Sequence, residues 1–366
     1  MFTLSNNKRR IFSCICLWRL SLMLLHPIRI ITPVPDVGPS GSVINSNYFS
    51  VFAVKACIFP KNIVPLQQIF YYTMLLYPNC KVNMGLRVVR KRPDGYHDLE
   101  TIFVPVYGLH DELEVVPAPS FAFTQEGITV DCAPEDNLII KCYRHLAAKY
   151  PQIGPVSIRF KKNIPFGAGL GGGSSDAAHM AIALNELFGL RLNKAQLAAE
   201  VASLGADCPF FIYNTPCFAE GIGDILTPID LDLKGVRIVM IKPDEGVSTR
   251  EAYSGMRPRP EVAQSIKTAI AQSKKKSLLS FDFLLSTLFI NDFEATVFPH
   301  HPIIAYIKKR LLDAGAFYAS MSGSGSTVFG LFKNDPEGGT NAHLAALKKE
   351  FASMVLLDDT FGEWKA

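Results

Sequence analysis

The chain has 366 residues, 48% of them apolar, which is enough for two ordinary domains with a sizeable core. Its 37 lysines and arginines against 33 aspartates and glutamates give a net charge of +4, but residues 1–73 hold seven of the basic residues (Lys8, Arg9, Arg10, Arg19, Arg29, Lys55, Lys61) and one acid, Asp36. That leaves 30 basic and 32 acidic residues beyond them, so the main body has no electrostatic footprint for nucleic acid, and none is expected as a partner.

Residues 1–73 read as an extension outside the functional fold. The apolar run IFSCICLWRLSLMLL is interrupted by Arg19 and too short to span a bilayer, so no membrane partner is expected. The basic NKRR before it suggests a signal peptide, but no small-residue cleavage site follows. An acid-poor, arginine-containing leader also fits a transit peptide, which would place the protein in a plastid. As an upstream extension it leaves the protein cytoplasmic, and a chain starting at Met74 is expected to carry full activity.

From Met74 the texture changes. Met74 opens a strand, and NCKVNMGLRVV alternates as a second. Pro93-Asp94-Gly95 is a turn, and LETIFVPV and DELEVVPA are further strands. EDNLIIKCYRHLAAKY has an Asx-type start and helical spacing. VSIRFKKNIP is a strand that runs into a glycine loop, and SSDAAHMAIALNELFGL is a helix from Ser174 to about Gly189. NKAQLAAEVASLGADCPFFI reads as a helix broken at Gly205 and then an apolar strand. VRIVMIKP is a strand and STREAYSGM a short helix. HPIIAYIKKRLLDAGAFYASMSGSGSTVFGLFK runs helix, glycine loop, strand. Antiparallel-type strands with scattered helices indicate an α+β fold rather than a doubly wound sheet. A boundary near ILTPIDLDLKG divides the body into residues 74–228 and 229–366.

The glycine loop, IPFGAGLGGGSSDAA, places five glycines within the seven residues Gly167–Gly173. It matches GxGxxG formally and lies between a strand and a helix, but no second parallel strand ends in an acid about 20 residues on, so a dinucleotide site is disfavoured. A Walker loop is excluded, since Ser174 and Ser175 follow the glycines and no lysine does. So many glycines are a heavy entropic burden for a mere turn. They suit backbone N–H groups converging on a phosphate at a helix N-terminus, with Ser174 and Ser175 adding hydroxyl donors.

This loop resembles the central phosphate motif of the GHMP kinase superfamily. MSGSGSTVFGLF (Met321–Phe332) is similar to that superfamily's C-terminal glycine motif, and NCKVNMGL to its opening strand. KVNMGL, RPDGYHDLETIF, EDNLI, LGADCPFF and AEGIGDILTPI together resemble the branch that phosphorylates a cytidine diphosphate sugar alcohol in the non-mevalonate isoprenoid route. The resemblance implies a two-domain fold: an N-terminal ribosomal-protein-S5-domain-2-like domain and a C-terminal ferredoxin-like α/β sandwich. It implies ATP as co-substrate, bound by Pro165, Phe166, Gly167, Ala168, Gly169, Leu170, Gly171, Gly172, Gly173, Ser174 and Ser175. Gly323, Ser324 and Gly325 complete the phosphate wall.

By the same resemblance Asp207 is the catalytic base and Lys81 the catalytic lysine that orients it. A lone lysine in an apolar strand already asks for a partner. Asn83 alternates onto the face of Lys81, where it can bond substrate or Asp207. Tyr96 and His97 are implied for the cytosine pocket, with Tyr253 on its other side. No Asp, Glu and His cluster suggests a protein-built metal cage, so Mg²⁺ is expected to arrive with ATP. Another GHMP small-molecule kinase, of mevalonate or homoserine type, is disfavoured by RPDGYH. A catalytically inactive nucleotide-binding relative is disfavoured by the joint presence of Lys81 and Asp207. The chain is read as a monomer or a homodimer. Cys14, Cys16, Cys57, Cys80, Cys132, Cys142, Cys208 and Cys217 form no CxxC pair and read as reduced, packed thiols.

Overall fold

The computed structural model describes residues 73–129, 133–262, 266–268, 270, 289–333 and 339–362. The extension 1–72 lies outside them, and with it the signal- and transit-peptide readings. Leu75–Ala366 forms one compact unit.

In chain order come β1 (Met74–Leu76), β2 (Asn79–Lys91), β3 (His97–His110), β4 (Glu112–Pro117), β5 (Ala122–Gly127), α1 (Leu138–Lys149) and β6 (Val156–Lys162). Then follow α2 (Gly172–Leu187), α3 (Lys194–Val201), α4 (Cys208–Tyr213), β7 (Cys217–Glu220) and β8 (Ile225–Pro228). β2 and β3 are a long antiparallel hairpin, closed by a turn in which Gly95 has φ 89° and donates to the Arg92 carbonyl at 3.1 Å. With β7 and β8 they form one sheet, ordered β2-β3-β7-β8. A second sheet is ordered β1-β4-β6-β5, with β5 parallel to β6. Asn137 caps α1 by accepting from the Ile139 N–H, and an Asn193–Gln196 capping box starts α3. α1 packs on α2, and α2 and α3 on α4.

The remaining elements are β9 (Arg237–Ile241), α5 (Thr249–Tyr253), α6 (Glu294–Val297), α7 (Pro302–Asp313), β10 (Tyr318–Met321), β11 (Val328–Phe332), α8 (Gly339–Glu350) and β12 (Val355–Thr360). Their antiparallel sheet is ordered β10-β11-β9-β12. With α7 and α8 as its crossovers this is the split βαβ, ferredoxin-like arrangement. The fold is α+β, as the sequence indicates.

Several elements differ from expectation. CPFFIY is not a strand but the helix α4, with Cys208 to Ile212 buried without a break. A short run buried all round carries no period to tell helix from strand, and Pro209 in its first turn favours the helix. α2 begins at Gly172, two residues before the predicted Ser174, with Gly171 in the left-handed region at its cap. β10 separates α7 from the second glycine loop.

The core does not respect a division at 228/229. Val82, Met84 and Val104 of the hairpin share one cluster with Ile238, Met240, Phe329 and Leu331 of the C-terminal sheet. Leu86 and Val88 share another with Val239, Ile241, Ile307 and Leu347. Cys80, Val82 and Met84 thus point into the core, and the intervening Lys81 and Asn83 project from the opposite face of β2. Cys80, Cys142, Cys208 and Cys217 are unpaired and buried, and burial pushes the Cys208 thiol up to about 11 and that of Cys217 up to about 12. The other four cysteines lie outside the described residues. No helix among the described residues is long and apolar enough to cross a membrane.

Candidate active site

The glycine loop runs from the end of β6 into α2 and is held on both sides. The Lys81 N–H donates to the Leu170 carbonyl at 3.0 Å, tying the loop to β2. The Ser322 hydroxyl donates to the Gly169 carbonyl at 2.9 Å, and the Thr327 N–H to the Ala168 carbonyl at 3.3 Å, tying it to the second glycine loop. That loop is itself anchored by Asn291, whose side-chain amide donates to the Met321 and Gly323 carbonyls, each at 2.8 Å. Glycine is required where these strands of backbone meet. A Cβ on Gly169 would stand 2.0 Å from the Ser322 carbonyl oxygen, and Gly169 has φ +74°.

A cavity of about 660 Å³ opens over the loop. Its wall includes Pro165 through Ser174, Gly323, Ser324, Lys81, Asn83, Asp207 and Tyr253. Lys81 is 4% exposed. Its ammonium donates to Asn83 Oδ1 at 2.6 Å, lies 3.5 Å from Asp207 Oδ2, and sits 4.8 Å above the centre of the Phe103 ring. Asn83 is fixed in turn, its amide donating to the Thr101 hydroxyl at 3.0 Å. Asn83 therefore orients Lys81; Asp207 is not its partner. Asp207 occupies the residue before α4, but its carboxylate caps nothing and its side chain keeps 31% exposure on the cavity side. An exposed acceptor beside a buried, oriented ammonium can take a proton from a hydroxyl placed between the two.

Four of the predicted site residues are not on this wall. Ser175 is fully buried, with its hydroxyl 3.3 Å from His179 Nδ1, because the helix has already started and turns this side chain into the packing. Gly325 lies behind the loop, where a Cβ would meet the Met321 sulfur at 2.7 Å. Tyr96 is 62% exposed on the hairpin turn. His97 stacks on Tyr253, with centroids 4.8 Å apart and planes at 21°, and burial holds its imidazole below the usual value, with Lys91 acting in the same direction. The rings expected on opposite sides of a base thus touch each other.

The sequence reading missed a group beneath the loop. Lys162 ends β6 on the inward side of its alternation, with Val156, Ile158 and Phe160. Its ammonium donates to Asp111 Oδ2 at 2.6 Å and to Asp176 Oδ2 at 2.7 Å. Strand parity alone flags such a lysine. Thr101, Phe103 and Leu138, also on the wall, carry no comparable signal. Among the described residues no three His, Cys, Asp or Glu side chains converge as a metal site.

The GHMP kinases N terminal domain family matches residues 137–215, and the GHMP kinases C terminal family residues 269–345. The 4-diphosphocytidyl-2-C-methyl-D-erythritol kinase of Bacteroides thetaiotaomicron is 51% identical over 270 residues, 72% of this chain and 93% of the relative. That of Parabacteroides distasonis is 48% identical over 263 residues, 71% of this chain and 92% of the relative. A crystal structure of 4-(cytidine 5'-diphospho)-2C-methyl-D-erythritol kinase superposes with a TM-score of 0.62 at 30% identity, covering 80% of this chain and 100% of that one. Homoserine kinase from Cytophaga hutchinsonii shares the fold, at 17% identity and a TM-score of 0.60. The chain belongs to the 4-diphosphocytidyl-2-C-methyl-D-erythritol kinase family of the GHMP kinases.

Proposed function

We propose that the chain transfers the γ-phosphoryl group of ATP to the 2-hydroxyl of 4-diphosphocytidyl-2-C-methyl-D-erythritol, giving the 2-phosphate and ADP, as the non-mevalonate route to isopentenyl diphosphate requires. The observation that carries this reading is the Lys81–Asp207 pair, 3.5 Å apart, on the wall of a cavity floored by the glycine loop.

ATP lies with its phosphates on the loop and on the N-terminus of α2. The acceptor hydroxyl stands in line with the bond from the γ-phosphorus to its bridging oxygen. Its oxygen forms the new P–O bond as that bridging bond breaks, and its proton passes to the Asp207 carboxylate. Lys81, oriented by Asn83, holds Asp207 in place and offsets negative charge as it moves. Little covalent chemistry is asked of the protein, so positioning and electrostatics supply the rate. Mg²⁺ would enter with the ATP phosphates and would neutralise their charge. The cytosine enters between Tyr253 and the Tyr96–His97 turn, and the stacked His97 and Tyr253 rings part to admit it.

The test is ADP release with the cytidine acceptor, mevalonate and homoserine in parallel. Turnover should be confined to the cytidine compound. Asp207→Asn should lower kcat by roughly 10²–10⁴-fold while ATP binding survives, the usual loss for a general base. Equal turnover of the three acceptors removes the assigned substrate; activity within about threefold of wild type removes Asp207 from the proton transfer.

A further inference from the structure

Three charged side chains are buried together under the glycine loop: Lys162 at 4% exposure, Asp111 at 0% and Asp176 at 4%. Their hydrogen bonds are unequal. Asp111 accepts from the Lys162 ammonium and, through Oδ1, from the N–H groups of Asn163 at 2.6 Å and Ile164 at 2.8 Å. Three donors, one of them charged, are what an ionised carboxylate needs when buried. Asp176 accepts from the Lys162 ammonium and lies against the Asp111 carboxyl, while its Oδ1 is buried with no hydrogen-bond donor. Lys162 and Asp176 both border the cavity, and the ammonium lies 3.1 Å from where a Cβ on Gly172 would stand.

With all three groups ionised this cluster would carry one net negative charge directly under a phosphate-binding loop. That arrangement opposes the ligand and leaves a buried anionic oxygen unpaired. We propose that Asp176 works as a neutral carboxyl, so that the cluster is uncharged and Oδ1 becomes a donor on the cavity wall for the nucleotide's phosphate. The proposal rests on the glycine loop being the ATP site. Lys162 then supplies the ammonium that this loop, unlike a Walker loop, lacks in its own sequence. It comes from the preceding strand and is held in place by Asp111.

The surroundings act in the same direction. Burial pushes the Asp176 carboxyl well above the usual carboxylate range, Lys162 opposes that, and Asp111 adds to it. Burial disfavours the Lys162 ammonium, but the ionised Asp111 beside it and the hydrogen bonds to both acids raise it and keep it protonated. The other titratable groups facing the cluster are His179 from α2, which burial lowers to about 4 and leaves neutral, and Cys80 and Lys81 from β2. Neither His179 nor the buried Cys80 thiol adds charge at neutral pH.

The test compares Asp176→Asn with Asp176→Ala in the full chain, by calorimetric ATP affinity and by infrared difference spectroscopy at neutral pH. Asparagine keeps the shape and a neutral donor, so ATP affinity should stay within about threefold of wild type. Alanine removes the donor and should weaken ATP binding about tenfold, with acceptor affinity unchanged in both variants. Wild type should show the carbonyl band of a neutral carboxyl, and Asp176→Asn should lack it. An asparagine variant as weak as the alanine one, or no such band in wild type, overturns the proposal. If the band is present but neither substitution changes ATP affinity, the glycine loop is not the phosphate site and the proposal falls with that reading.

Discussion

Placing a single methyl group on Gly169 tests the loop assignment more sharply than removing any side chain. The residue has φ +74°, and leaving glycine out of this region costs about 1–2 kcal/mol. Its new Cβ would stand 2.0 Å from the Ser322 carbonyl oxygen and 3.1 Å from that of Gly325, both backbone atoms that no rotamer change can move. The two glycine loops must then separate, losing the Ser322 hydroxyl bond to Gly169 and the Thr327 N–H bond to Ala168, each worth about 1 kcal/mol. Together these come to roughly 3–4 kcal/mol, so ATP affinity in Gly169→Ala should fall by at least about a hundredfold. Gly167 is the control, since it has φ +63° but nothing within 4 Å of its Cβ position. Gly167→Ala carries only the conformational part, about 1–2 kcal/mol. Calorimetry with ATP and with the cytidine acceptor, beside a thermal melt, separates binding from folding. ATP affinity in Gly169→Ala within about threefold of wild type refutes the reasoning, as does a loss confined to the acceptor.

Tyr253→Ala and His97→Ala should each raise KM for the cytidine substrate about tenfold or more, since one stacked base is worth about 1–3 kcal/mol, and should leave slow ATP hydrolysis by water unchanged. An equal loss in both reactions would make these rings supports of the fold. His301 presents both ring nitrogens to carboxylates, Nδ1 to Glu245 and Nε2 to Glu251, each at 2.8 Å, and this raises its pKa above the usual 6.5, Glu251 contributing most. The stability it adds is complete below the ordinary imidazole value and lost as pH climbs through the raised one. The melting temperature should therefore fall as pH rises from the ordinary imidazole value through the raised one in wild type and not in His301→Gln, and parallel profiles for the two would sink the assignment.

Much of the site was readable because it obeys simple periods. Alternation along NCKVN places Lys81 and Asn83 on one face of β2, and five glycines after β6, the last two opening α2, point to a phosphate loop. What was not readable depends on partners far away in the chain. β5 has an exposed, unremarkable pattern and exists because it pairs in parallel with β6 across the sequence of α1. α4 is surrounded on all sides, so burial erases its helical period. Ser175 looks like a second hydroxyl for the phosphate until the helix is seen to begin at Gly172, two residues earlier than expected, which points it at His179. Lys162 was legible by strand parity, but its meaning required Asp111, brought beside it by the pairing of β4 with β6.

The same long-range dependence decides how the two halves of the body relate. A boundary at 228/229 treats the ATP loop as the property of the first half. Its backbone is closed, however, by Ser322 and Thr327 from the second half, and Ser322 also accepts the N–H of Asn83, which orients Lys81. That second loop is held by Asn291, and Glu294 beside it accepts the Met321 N–H at 2.9 Å while paired with Lys308 of α7. The chain of contacts thus runs from α7 through α6 and β10 to the glycine loop, and from there to β2. Hydrophobic clusters crossing the same boundary leave each half with an uncovered face if taken alone. The C-terminal sheet is therefore part of the framework of the proposed nucleotide site, and the shape of the glycine loop is a property of the whole Leu75–Ala366 unit.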